Sequence, residues 1–327
     1  MSQTIRSLIM AAPVLLVLFA GLSSRAASDP QDTYALWNLP TIFVAEIETA
    51  APSEGCRQGW STSSAVGCPT DVLVRVTDVL RDAATHGSAQ EKFQATLPSA
   101  FGGYTSVQYQ WKRRQQAVQA GQRYLIISAV RGLKGGFSSP RYLTLLTDED
   151  DPVSDIRFIL RSVSLPLDNQ ISGAMAEITA GRAPRSIFFV NYLAMLLASG
   201  GDANGTMLEQ AIEDSPPSAF SSQAKAYLLS APSAIPLHLY AALTARYLID
   251  APDLPTPGQP GISVAGLLNN VEWLLSSEQG RSVLHGVLPP APIAQLRTKI
   301  AELRKGGKVP LDGAARLDQF ANAIDFH

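Results

Sequence analysis

The apolar residues of this 327-residue chain change their period once, at Asp148-Glu149-Asp150-Asp151-Pro152, and that switch restricts the fold more than any other feature. From Leu36 to Thr147 they come in short runs divided by turn-forming residues. Thr41 to Ile47 is β-branched and aromatic, and Val72 to Leu80 alternates apolar with polar, as a half-buried strand does. Lys92 to Leu97 alternates and stops at Pro98, Arg123 to Val130 is entered through Gly121, and Arg141 to Thr147 is the fifth run. Beyond Pro152 the chain is rich in Ala and Leu at helical spacing.

Segregated periods predict an α+β protein of two domains. Five strands within residues 27–147 suit a small closed or nearly closed OB-like β-barrel. Residues 148–152 read as an acidic linker and 153–327 as an all-helical bundle or irregular helical array. Its predicted helices are Ile171–Ala180, Ser186–Ala198, Thr206–Asp214, Ser218–Leu229, Ser233–Ile249, Ser263–Ser276, Glu278–Val287, Pro292–Lys305 and Gly313–Asp325. Helices this short hold only by packing on one another. Four prolines within residues 250–260 mark a possible subdivision, and Gly201-Asp202-Ala203-Asn204-Gly205 reads as a turn between helices.

The N-terminus reads as an address. Arg6 precedes the apolar block Leu8 to Leu22, and small residues follow at Ser24, Ala26 and Ala27. This is the pattern of a secretory signal peptide, residues 1–26, with cleavage after Ala26. The block contains Pro13 and falls short of the ~20 residues that span hydrocarbon, so no integral membrane segment is expected in the mature chain. The expected location is bacterial, periplasmic or secreted. In that oxidising compartment Cys56 and Cys68, the only cysteines, are expected to form a disulfide that staples a loop. In the chain-entropy model such a staple is worth up to ~3 kcal/mol.

Composition narrows the function classes. A hydrophobic fraction of 46% supplies real cores and excludes a disordered or fibrous chain. A net charge of -2 lacks the cationic excess needed to neutralise phosphates, so no nucleic-acid partner is expected. No Walker loop, dinucleotide fingerprint, H-E-x-x-H or paired-cysteine metal motif occurs, and neither cofactor nor metal is expected.

Three segments resemble the netrin-like domain family, the OB-fold group that includes tissue inhibitors of metalloproteinases. Phe43-Val44-Ala45-Glu46-Ile47 is similar to the family's opening strand, and Val74 to Asp82 to its second. Val118 to Ile126, with Gly121 and Tyr124-Leu125-Ile126, is similar to its late signature. The resemblance implies an OB-fold. It does not carry metalloproteinase inhibition, because the family's zinc-clamping N-terminal cysteine has no counterpart and Arg114 stands where a second cysteine would be.

Between Tyr104 and Tyr142 there are seven basic residues and no acidic one, interleaved with Tyr109 and Trp111. Trp111, Lys112, Arg113, Arg114 and Arg123 are therefore the expected contact surface for an anionic envelope component or protein partner. The expected function is a non-enzymatic binding or interaction protein. The rival is a periplasmic hydrolase on Ser222-Gln223-Ala224-Lys225, an S-x-x-K pattern in which Lys225 would take the Ser222 proton, or on a carboxylate pair. A third class is a structural or oligomerisation scaffold built on the helical half. His238 and His285 read as packed helical side chains, and Glu209, Glu213 and Asp214 as surface acids.

Overall fold

The computed structural model describes Leu39 and residues 41–52, 70–82, 92–97, 118–128, 142–146, 152–181, 184–200, 202–230, 235–252 and 263–325. Residues 1–26, expected to be a signal peptide, Cys56 and Cys68, Trp111 to Arg114, the Asp148 to Asp151 run and residues 253–262 lie outside them. The chain is α+β. Five strands, β1 (Thr41–Pro52), β2 (Thr70–Asp82), β3 (Lys92–Leu97), β4 (Arg123–Ser128) and β5 (Tyr142–Leu145), form one antiparallel sheet in the order β3-β2-β1-β4-β5.

The expected closure into a five-stranded barrel is not found among the described residues. β3 and β5 are the two edges and pair only with β2 and β4. The register gives the reason. β4 lies beside Thr41 to Glu46 of β1, whereas β3 pairs with the part of β2 that faces Glu46 to Pro52. The edges are thus displaced along the strand direction, and closure needs them to meet with matched tilt and shear. The β1–β2 ladder shifts register three times, which adds local twist without joining the edges.

Both faces of β1 and β4 are buried, and one face of β2. Phe43, Ala45, Ile47, Val74, Val76, Tyr124 and Ile126 form one face with Val118. On the other, Ile42, Val44, Leu125 and Ile127 belong to the same core as the helices. The sheet and the helical half therefore share apolar contacts.

Ten α-helices follow among the described residues: α1 (Val153–Ser162), α2 (Leu167–Ala180), α3 (Ile187–Ser199), α4 (Asp202–Asp214), α5 (Ser222–Ser230), α6 (Leu237–Asp250), α7 (Val264–Ser276), α8 (Glu278–Ser282), α9 (Pro290–Lys305) and α10 (Leu311–Ile324). α1 was not anticipated, because the acidic run before it reads as a linker. It aims Val153, Ile156 and Ile159 at the shared core, and its Arg157 pairs with Asp78 of β2. Asp202 to Gly205, read as a turn, is the first turn of α4. Glu278–Val287 shortens to α8, since the chain leaves the helix at Val283 and Gly286 takes φ +69°. From α1 to α6 most helices pack on the second one along the chain: α1 on α3, α2 on α4, α3 on α5 and α4 on α6. α6, α7, α9 and α10 close the array. Buried residues run almost all the way round α3 and α6, as befits helices at the centre of the array.

Candidate functional site

Arg123 is the one residue of the expected basic surface among those described. The turn before it is fixed by the backbone: Gly121, at φ +83°, donates to the Ile47 carbonyl at 2.7 Å, and Ile47 donates to the Gln122 carbonyl at 2.9 Å. The Tyr124 hydroxyl donates to Gln122 Oε1 at 2.6 Å, and burial pushes that phenol up to about 12. Arg123 then begins β4 with its side chain exposed and directly opposite Glu46.

The register extends that pair into a row. Lys92 of β3 stands opposite Arg75 of β2, Arg75 opposite Glu46 of β1, and Glu46 opposite Arg123 of β4. Residues paired in register share a face, so these four form a charged band across four strands. The face is the one that carries Val44 and Leu125 into the helical core. Arg75 pairs with Glu46, and Glu48 Oε1 lies within ion-pair distance of both Arg75 Nε, at 3.2 Å, and Lys92 Nζ, at 2.8 Å. Two acids thus serve two cations, and Arg123 makes no ion pair among the described residues. Sequence reasoning missed Arg75 and Lys92, whose relevance depends on strand register.

Ser222 and Lys225 fall on one helix, with Ser222 in the first turn of α5 and Lys225 a turn further on. The neighbouring Ser221, not Ser222, caps the helix: its Oγ accepts from the Ala224 N–H at 3.2 Å. No hydrogen bond joins Ser222 to Lys225 among the described residues. Burial pushes the Lys225 ammonium down from its ordinary value, opposed by the Asp250 carboxylate.

Asp250 also lines a cleft of about 120 Å³ between the end of α4, the last turns of α6 and the start of α9. Ser215, Leu243, Arg246, Tyr247 and Gln295 complete much of its wall. Nη1 of Arg246 is buried and has no acceptor among the described residues. Burial raises the nearby Glu213 carboxyl, with Arg246 as the first charge opposing that shift. Glu213 is therefore only half a surface acid. His238, expected to be packed, is 55% exposed and meets Glu209 Oε2 at 2.6 Å. His285 lies exposed in the turn after α8.

A third cluster is closed to ligands. Arg185, 7% exposed, donates to Asp155 Oδ1 at 2.9 Å, Glu177 Oε2 at 2.6 Å and the Glu177 carbonyl at 3.1 Å, and its guanidinium lies 5.2 Å from the Phe189 ring centroid. Asp155, 3% exposed, also accepts from the Ser186 N–H at 2.7 Å. Burial raises the Asp155 carboxyl against the pull of Ser186 and Arg185. The backbone of Arg185 bridges to the segment before α5, so the cluster ties α1, α2, α3 and α5 together. Every strong bond is internal, which makes it structural.

Among the described residues no three His, Cys, Asp or Glu side chains converge as a metal-ligand set, and no helix is long and apolar enough to cross a membrane. No family model, curated protein or solved structure matches the chain.

Proposed function

We propose that this chain is a non-enzymatic binding protein of the bacterial cell envelope, secreted or periplasmic, that takes an anionic partner on the charged band of its sheet. The carrying observation is Arg123, an exposed cation facing a carboxylate already engaged by Arg75. A partner's anionic group would meet a net positive row there with little desolvation of its other members. The reading also keeps Trp111, Lys112, Arg113 and Arg114 as contact residues and a disulfide between Cys56 and Cys68, all expected from the sequence. The likeness to netrin-like domains belongs to it as well: its three segments fall on β1, on β2 and along the approach and body of β4, the paired centre of the sheet.

The test is capture from an envelope fraction by the immobilised mature protein at low and high salt. Arg123→Glu should weaken capture at low salt, and raised salt should weaken the wild type in the same way. Capture that is indifferent to both changes would refute the reading.

One observation favours the hydrolase alternative, the depressed Lys225 beside the helix-start Ser222. Labelling of Ser222 by a fluorophosphonate or a fluorescent β-lactam would establish it, and an unlabelled protein removes it.

A further inference from the structure

We propose that the cleft between α4, α6 and α9 binds a small zwitterion, an α-amino acid, with Arg246 receiving the carboxylate and Asp250 the ammonium. The first observation is Arg246 itself. A buried N–H without an acceptor is costly, and the buried Nη1 of this cleft-lining side chain finds none among the described residues. A carboxylate is the acceptor that a guanidinium satisfies best.

Charge balance selects the zwitterion over a simple anion. Arg246 and Asp250 line the cleft, and each already faces an opposite charge behind it: Arg246 the Glu213 carboxyl and Asp250 the Lys225 ammonium. The other charged groups facing Glu213 are Asp214, which accepts from Gln210, and Glu209, which is held by His238. A lone anion at Arg246 is opposed by Glu213 and Asp250, and a lone cation at Asp250 by Arg246 and Lys225. A molecule with both charges is opposed by neither set.

Geometry agrees. Arg246 and Asp250 are one turn apart on α6, close enough to pair, yet no ion pair joins them among the described residues. An α-amino acid carries its ammonium and carboxylate on one carbon and can bridge such a gap. The volume of about 120 Å³ corresponds to roughly four water volumes, the scale of alanine and well below a drug-sized ligand. Leu243, Ile249 and Pro292 supply an apolar wall for a short side chain.

The experiment uses the full mature chain and follows its amide NMR shifts during titration with L-alanine, with propionate and with ethylamine. The last two are L-alanine without its ammonium and without its carboxylate. L-alanine should move the Tyr247 and Gln295 amides saturably, with each single-charge analogue at least about tenfold weaker. Arg246→Gln and Asp250→Asn should each weaken L-alanine by about tenfold or more. Arg246→Lys, which keeps the charge beside Glu213, serves if the glutamine variant does not fold, and should bind more weakly because the planar fork is lost. Propionate binding as tightly as L-alanine, variants that bind like the wild type, or no shift with L-alanine at about 100 mM, a range reserved for very weak sites, would each overturn the assignment.

Discussion

Replacing Arg185 with Met keeps much of the side chain's length while removing all its N–H donors. Asp155, 3% exposed in the native protein, would then keep the Ser186 N–H at 2.7 Å as its remaining strong partner, and Glu177 would lose its cation. Removing one partner of a buried ion pair costs about 3–5 kcal/mol, mainly because the other charge stays behind unpaired. Against the roughly 5–15 kcal/mol of a typical folded protein, that is a large fraction. The cost should depend on pH. Burial already holds the Asp155 carboxyl above its ordinary 3.8, and losing the guanidinium raises it further. The folded variant then keeps a proton that the unfolded chain releases, so its stability falls as pH rises through the interval between the two values. The penalty is greatest near neutral pH and shrinks in mild acid. Urea unfolding of the wild type, Arg185→Met and Arg185→Met with Asp155→Asn measures this directly. The double variant has no buried carboxylate and should be more stable at neutral pH than the single one. A single-variant cost below about 1 kcal/mol, or a second substitution that only destabilises further, would refute the reasoning.

Two other outcomes follow from local geometry. At Gly280 a Cβ would lie 2.5 Å from the Leu274 carbonyl and 2.6 Å from Ser277 Oγ, so Gly280→Ala should cost about 1–3 kcal/mol in urea unfolding despite alanine's higher helix propensity, and a gain in stability would contradict the packing. Lys225 is pushed down by burial, so the unfolded chain binds more protons just below the ordinary value of 10.5 and wild-type stability should rise with pH there. Lys225→Met should flatten that rise and leave neutral-pH stability equal or higher; a parallel pH profile in the variant would remove the desolvation argument.

Local pattern located the strands well because each one's alternation is a property of its own residues. β1, β2, β3, β4 and β5 all fall within or close to the predicted runs. Helix interiors were legible for the same reason, while several starts moved: α2 begins at Leu167 and α6 at Leu237, each directly after a proline at the N-cap. α1 was missed because four acids ahead of it suggest a solvated linker, although its Val153, Ile156 and Ile159 carry the helical spacing. The candidate sites were less legible. Arg185, Asp155 and Glu177 lie up to 30 positions apart, with no motif linking them, and they meet only because α1, α2 and α3 pack together.

The sequence by itself determined the α+β class, the switch from strands to helices and the residues available for each core, since these depend on periodicity along the chain. It also singled out Arg123. Tertiary structure decided that the sheet stays open among the described strands, that one sheet face and the helices share a core, and that Lys92, Arg75, Glu46 and Arg123 line up in one row. It also placed Arg246 and Asp250 on one cleft wall with α9 opposite. Register and helix packing depend on segments far apart in sequence, and the energies that select them arise only when those segments exclude water from one another.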